Sequence, residues 1–108
     1  MIDWTEELLA QIEAGTRVVL SYPGLDGYPV VLPFPLAFDQ DKRHFTLPIP
    51  HQSPAPASEE QASLTLLHYD EQTKFERYVL FYGRLTETGN EWIFTPSQVV
   101  LPQWRRRE

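Results

Sequence analysis

The sequence predicts a mainly β domain: an antiparallel barrel of six strands assembled from two incompletely joined halves, with one N-terminal helix and one short helix. Two observations predict it. The first is a pair of proline-punctuated apolar runs, Val30-Val31-Leu32-Pro33-Phe34-Pro35-Leu36 and Phe45-Thr46-Leu47-Pro48-Ile49-Pro50, separated by the polar turn Asp39-Gln40-Asp41-Lys42-Arg43. In a strand the N–H groups of residues i and i+2 face the same edge, so Pro33 and Pro35 strip donors from one edge only, as do Pro48 and Pro50. Each strand can pair fully on one side alone, which is where a sheet bends, splits or ends. The second is the order of the remaining signals: helix, three strands, short helix, three strands, with turn residues between them.

Asp3 is an N-cap residue with Glu6 three positions on, and Trp4, Leu8 and Ile12 recur on one helical face before Gly15 ends the segment. The first 15 residues are therefore a short amphipathic helix, a plug over a sheet. From Arg17 to Tyr22, Val18, Leu20 and Tyr22 alternate with Arg17, Val19 and Ser21, and the run meets Pro23-Gly24-Leu25-Asp26-Gly27. Gly24 and Gly27, flanking Asp26, supply the positive φ values of a tight hairpin. The second strand runs from about Tyr28 to Leu36 and the third from about His44 to Ile49.

Pro50, Pro54 and Pro56 among small polar residues mark a linker. Ser58-Glu59-Glu60-Gln61-Ala62 has the composition of one or two helical turns capped by Ser58. Leu64 to Tyr69 reads as a fourth strand, Asp70-Glu71-Gln72-Thr73-Lys74 as a turn, and Arg77 to Glu87 as the longest strand, closed by Thr88-Gly89-Asn90. Trp92 to Leu101 returns as a sixth strand, with Pro96 marking a bulge or an edge. Residues 1–15 form the helix, 16–102 the barrel and 103–108 a basic tail, within one domain.

A chain of 108 residues buries one modest core, hiding roughly two-thirds of the surface of its unfolded chain. The absence of cysteine excludes disulfides, thiolate zinc sites and a cysteine nucleophile, and makes the cytoplasm the default location. Met1-Ile2-Asp3-Trp4 lacks a basic start and a following apolar stretch, which argues against a signal peptide, and the run Tyr28 to Phe38 is too short to span a bilayer. The net charge of −6 disfavours nucleic acid as a partner. Arg105-Arg106-Arg107, isolated and followed by Glu108, reads as a solvated tail.

No motif specifies a reaction. Ser21, Ser53, Ser58, Ser63 and Ser97 lack an elbow motif, the five glycines form no phosphate loop, and His44, His51 and His68 lack the close spacing of metal ligands. On the longest strand Tyr78, Leu80 and Tyr82 share one face and Val79, Phe81 and Gly83 the other, so both faces are largely apolar. Such a strand wants cover on both sides. The helix supplies part of it and a partner subunit is the natural remainder, the alternative being a closed barrel with a few exposed tyrosines.

Asp26-Gly27-Tyr28-Pro29, Ala62-Ser63-Leu64-Thr65-Leu66 and Leu80-Phe81-Tyr82-Gly83-Arg84-Leu85, in that order and spacing, resemble motifs of the FMN-binding split-barrel family, the pyridoxamine 5′-phosphate oxidase-like proteins. The resemblance covers Arg17 to about Leu101. It implies a six-stranded antiparallel split barrel that forms a homodimer, with FMN sites in the dimer groove. It also implies that the flavin phosphate is anchored just after the third strand, where this chain reads Pro48 to Ser58 and has neither Arg nor Lys. His51 and Ser53 are the polar side chains at that place, and Arg84 is the strand cation within reach of a phosphate; these three are the candidate cofactor-binding residues. His51 reads equally as an exposed loop residue, and Arg84 as one half of a cross-sheet ion pair.

Two functions follow. One is a flavin-binding split barrel acting as a small oxidoreductase, whose redox step belongs to the cofactor. The other is a split-barrel homodimer that has lost the flavin and serves as a binding or interaction module.

Overall fold

Helix α1 (Glu6–Ala14) begins two residues later than an Asp3 cap would start it. Thr5, in extended conformation, is the N-cap, and its Oγ1 accepts from the Leu8 amide at 3.1 Å. Trp4 lies before the helix because its ring stacks on Phe38, centroids 5.7 Å apart. Glu6 and Glu7 occupy the first turn, where unsatisfied amides favour negative charge. Gly15 ends the helix with φ −72°, so steric room rather than a left-handed cap explains it: a Cβ there would lie 2.6 Å from Leu66 Cδ1.

The computed structural model describes residues 2–70 and 75–100. The turn expected around 71–74, the final strand residue Leu101 and the basic tail at 103–108 lie outside the described residues. Seven strands follow the helix: β1 (Arg17–Pro23), β2 (Pro29–Pro35), β3 (Phe38–Asp39), β4 (His44–Pro48), β5 (Ala62–Asp70), β6 (Phe75–Thr88) and β7 (Glu91–Val100). They form one antiparallel sheet in the order β2-β1-β5-β6-β7-β4-β3.

That order carries the architecture. β2 and β3 are the two edges of the sheet, yet only Leu36 and Ala37 separate them in the chain. Three peptide links span at most about 11 Å, whereas seven strands laid flat put the edges about 29 Å apart. The sheet must roll until its edges meet at one corner. They meet without a ladder, because Pro29, Pro33 and Pro35 alternate along β2 and leave Val31 as the one amide donor on its outer edge, while β1 takes the other edge over the full register Arg17–Pro35 to Pro23–Pro29. The barrel is split where the prolines lie.

The inner face collects Val18, Leu20 and Tyr22 of β1, Phe34 of β2, Phe45 and Leu47 of β4, Leu64 and Leu66 of β5, Phe81 and Leu85 of β6, and Trp92 and Phe94 of β7. Leu8 and Ile12 of α1 join them, so the helix closes this core as its amphipathic pattern predicts. Phe45 sits at the centre, 4.8 Å from Phe38, 5.3 Å from Phe81 and 6.3 Å from Phe94 by ring centroids. Burying each such side chain contributes about 1.5–3 kcal/mol.

Beyond the start of the helix, the sequence-based expectation differs from this fold at three further places. There are seven strands rather than six, because Phe38 and Asp39 pair with Phe45 and His44 before the turn begins. The expected short helix at 58–62 is a turn. Ser58 Oγ accepts from the Glu60 amide at 3.2 Å, the Glu59 carbonyl accepts from the Leu85 amide of β6 at 2.7 Å, and β5 has already begun at Ala62. Too few residues remain to nucleate a helix, and the backbone carbonyl it would use is spent on the sheet. Only one of the two hairpin glycines is left-handed, Gly27 at φ +87°; Gly24 instead forms a bridge with Pro56.

Pro96 marks a bulge. Tyr82 faces Gln98 while Gly83 faces Pro96, so Ser97 is the extra residue, and its hydroxyl donates to the Tyr82 carbonyl at 3.2 Å.

Candidate functional site

His51 and Ser53 lie in the connector between β4 and β5. His51 is exposed in a turn where Gln52 takes φ +64°, and the Ser53 amide donates to the Pro50 carbonyl at 3.3 Å. Arg84 stands on the outward face of β6 and donates from Nη2 to Glu59 Oε2 at 3.2 Å. No hydrogen bond joins Arg84 to His51 or Ser53 among the described residues. Both partners of the Arg84–Glu59 pair are more than half exposed, which makes it a weak surface contact.

The concave surface lies beside them. The outward residues Ser21, Ser63 and Tyr82 fall in one row across β1, β5 and β6, because Ser21 pairs with Ser63 and Ser63 with Tyr82. Small side chains on two adjacent strands leave a hollow, and the Tyr82 ring walls it on one side. The β1–β2 hairpin closes it at Pro23, Gly27 and Pro29, and Glu60 and Gln61 of the connector close the far side. The result is an open cleft of about 490 Å³, within the size range of small-molecule sites.

The connector is held in place to form that wall. The Tyr22 hydroxyl donates to the Pro54 carbonyl, the Ala57 amide to the Pro23 carbonyl at 2.8 Å, and Gly24 bridges Pro56. Burial pushes the Tyr22 phenol above its ordinary pKa, so it remains the neutral donor this bond requires.

Chemically, the cleft offers an aromatic wall, two hydroxyls and a side-chain amide, with Glu60 as its one ionised group among the described lining residues. A planar ring with a polar edge suits it. The phosphate of FMN does not, since no guanidinium or ammonium lines the cleft among the described residues and phosphates draw their strongest hydrogen bonds from such cations. Among the described residues no group of three or more His, Asp or Glu side chains converges on a point that could hold a metal, and no helix is long and apolar enough to cross a membrane.

Tyr82 was visible in the sequence as sharing one face of the longest strand with Tyr78 and Leu80. Ser21 and Ser63 were not, because their significance is their opposition across two strands far apart in the chain, and neither carries a local motif.

Compared with models of known families and with curated proteins, the sequence has no match. Among solved structures the chain is similar to the crystal structure of HutZ, the heme storage protein from Vibrio cholerae. The TM-score is 0.57 at 11% sequence identity, over 93% of this chain and 95% of that one. At that identity the likeness is one of fold, and the split-barrel architecture expected from the proline-marked edges is the fold the two chains share.

Proposed function

We propose that this chain is a cofactor-binding split-barrel protein that works as a homodimer and holds a planar, flavin-type ring in the cleft beside Tyr82. The observation that carries this reading is the cleft itself, an aromatic ring and two outward hydroxyls facing a hollow of small-molecule size. Tyr82 would stack on the ring while Ser21, Ser63 and Gln61 address its polar edge. When bound, a flavin would supply hydride or electron transfer, and the protein would contribute orientation and partial exclusion of water.

The homodimer rests on the same face. Val31, Tyr78, Tyr82 and Val100 are outward and 45–60% exposed, with Leu80 half-buried among them. A second copy laid on this face would cover the cleft's open side.

Haem is the second reading. HutZ, whose fold this chain shares, is a heme storage protein, and the Tyr82 phenol is an oxygen donor of a kind that ligates haem iron. One experiment separates the two: titrate the purified protein with riboflavin, FMN and haem, following flavin fluorescence and the haem absorbance bands, in the wild type, Tyr82→Phe and Tyr82→Ala. Stacking survives in Tyr82→Phe and fails in Tyr82→Ala, whereas iron ligation fails in both. A colourless wild type that ignores all three compounds overturns the cofactor reading and leaves the interaction module.

A further inference from the structure

We infer that the cleft takes planar ligands without a phosphate, accepting an uncharged flavin such as riboflavin in preference to FMN; this rests on the proposed flavin-type reading and names the charge class of its ligand. The ionised group on the cleft wall is a carboxylate, Glu60. Beside it, Arg84 follows Tyr82 by two residues on the same outward face, but its guanidinium is engaged by Glu59 at 3.2 Å. Were Arg84 to turn toward a ligand, it would still face two carboxylates, Glu59 and Glu60. The immediate surroundings are then net negative before a phosphate dianion arrives.

Among the described residues, three further cations lie elsewhere in the sheet. Arg17 precedes Ser21 by four residues on β1, about 13 Å along the strand. Lys42 and Arg43 belong to the turn between β3 and β4, where the Arg43 guanidinium lies over the Trp4 ring, 5.4 Å from its centroid. Among the described residues no helix N-terminus lines the cleft to replace them, and the Glu60 amide is already given to Ser58 Oγ. A phosphate entering here trades hydration for like charge, while a ring without one loses nothing.

Riboflavin and FMN share one ring and differ by the phosphate, which isolates the effect. Each is titrated by quenching of flavin fluorescence against the wild type, Glu60→Gln and Arg84→Ala, at about 20 mM and about 500 mM salt. The expected result is that riboflavin binds roughly tenfold or more tighter than FMN at low salt, with the gap narrowing at high salt and in Glu60→Gln. FMN binding as tightly as riboflavin, or a selective loss of FMN in Arg84→Ala, overturns the inference and leaves the flavin reading standing. If neither flavin binds, the flavin reading itself falls and takes this inference with it.

Discussion

The Tyr22 hydroxyl donates a hydrogen bond to the carbonyl of Pro54, 32 residues away, and so ties the end of β1 to the proline-rich connector. The Tyr22 ring meanwhile packs edge-on against Trp92, centroids 5.6 Å apart. Tyr22→Phe keeps the ring and removes only the tether. We expect a loss of about 1 kcal/mol in urea unfolding with an unchanged m-value, and faster proteolysis between Ile49 and Gln61. An unchanged midpoint and cleavage rate would refute the tether.

The same bond sets an alkaline limit. Burial raises the folded phenol's pKa above its unfolded value of about 10, so its stabilising contribution is complete below that pH and is lost as pH rises through the folded value. Thermal midpoints measured through this window should fall more steeply in the wild type than in Tyr22→Phe; parallel curves would assign the alkaline loss to other groups.

Gly83 sits at the bulge with its Cα against the opposing backbone. A Cβ there would collide with the Thr95 carbonyl oxygen and come within 2.8 Å of Pro96 Cα, and backbone has no rotamer by which to yield. Gly83→Ala should cost about 1–3 kcal/mol, the range of overpacked cores. Because Tyr82 is the neighbouring residue, the same variant should also weaken binding in the cleft. Wild-type stability in Gly83→Ala would mean that the bulge relaxes freely.

At the β3–β4 turn, Asp39 Oδ1 accepts from the amides of Lys42 at 3.1 Å and Asp41 at 3.0 Å, while Arg43 takes φ +56°. Foremost the Lys42 amide, aided by the Asp41 amide and the charges of His44 and Lys42, holds this carboxyl below the usual carboxylate pKa against a smaller opposing effect of desolvation. A depressed folded pKa stabilises above the unfolded value, about 4, and that contribution is lost as pH falls through the folded one. Asp39→Asn keeps an acceptor without the charge. Its stability should be flatter than the wild type's below about pH 4, as read by thermal melts; superimposed acid limbs would show that Asp39 does not govern this turn.

The prolines made the split legible because their effect is a property of single residues: Pro33 and Pro35 remove donors from one edge wherever the strand lies. The helix was legible from Leu8 and Ile12, but its start was not, since Thr5 prevails over Asp3 only through the stacking of Trp4 on a strand residue 34 positions later. Ser58 to Gln61 misread as helix for a related reason. Their local composition favours a turn of helix, and the Leu85 amide of β6 claims the Glu59 carbonyl first. Of the site, Tyr82 could be read from alternation along one strand. Ser21, Ser63 and Glu60 could not, because the hollow they line exists only once β1, β5 and β6 are in register.

That register also defines the face on which a second copy is proposed to sit. Pro33, Val19, Thr65, Leu80 and Val100 form one outward row across five strands, with Leu80 on β6, the middle strand of the sheet, half-buried by its neighbours alone. Leu80→Glu sets a charge on the outward face of this middle strand while leaving the inward Val79 and Phe81 untouched. Central residues of an interface cost about 2 kcal/mol or more when disrupted, roughly a thirtyfold rise in the dimer Kd. Sedimentation velocity at micromolar concentration should report a dimer for the wild type and a monomer for Leu80→Glu, with the far-ultraviolet circular dichroism of both the same. A monomeric wild type would reject the homodimer, and a dimeric, folded Leu80→Glu would move the interface off this face.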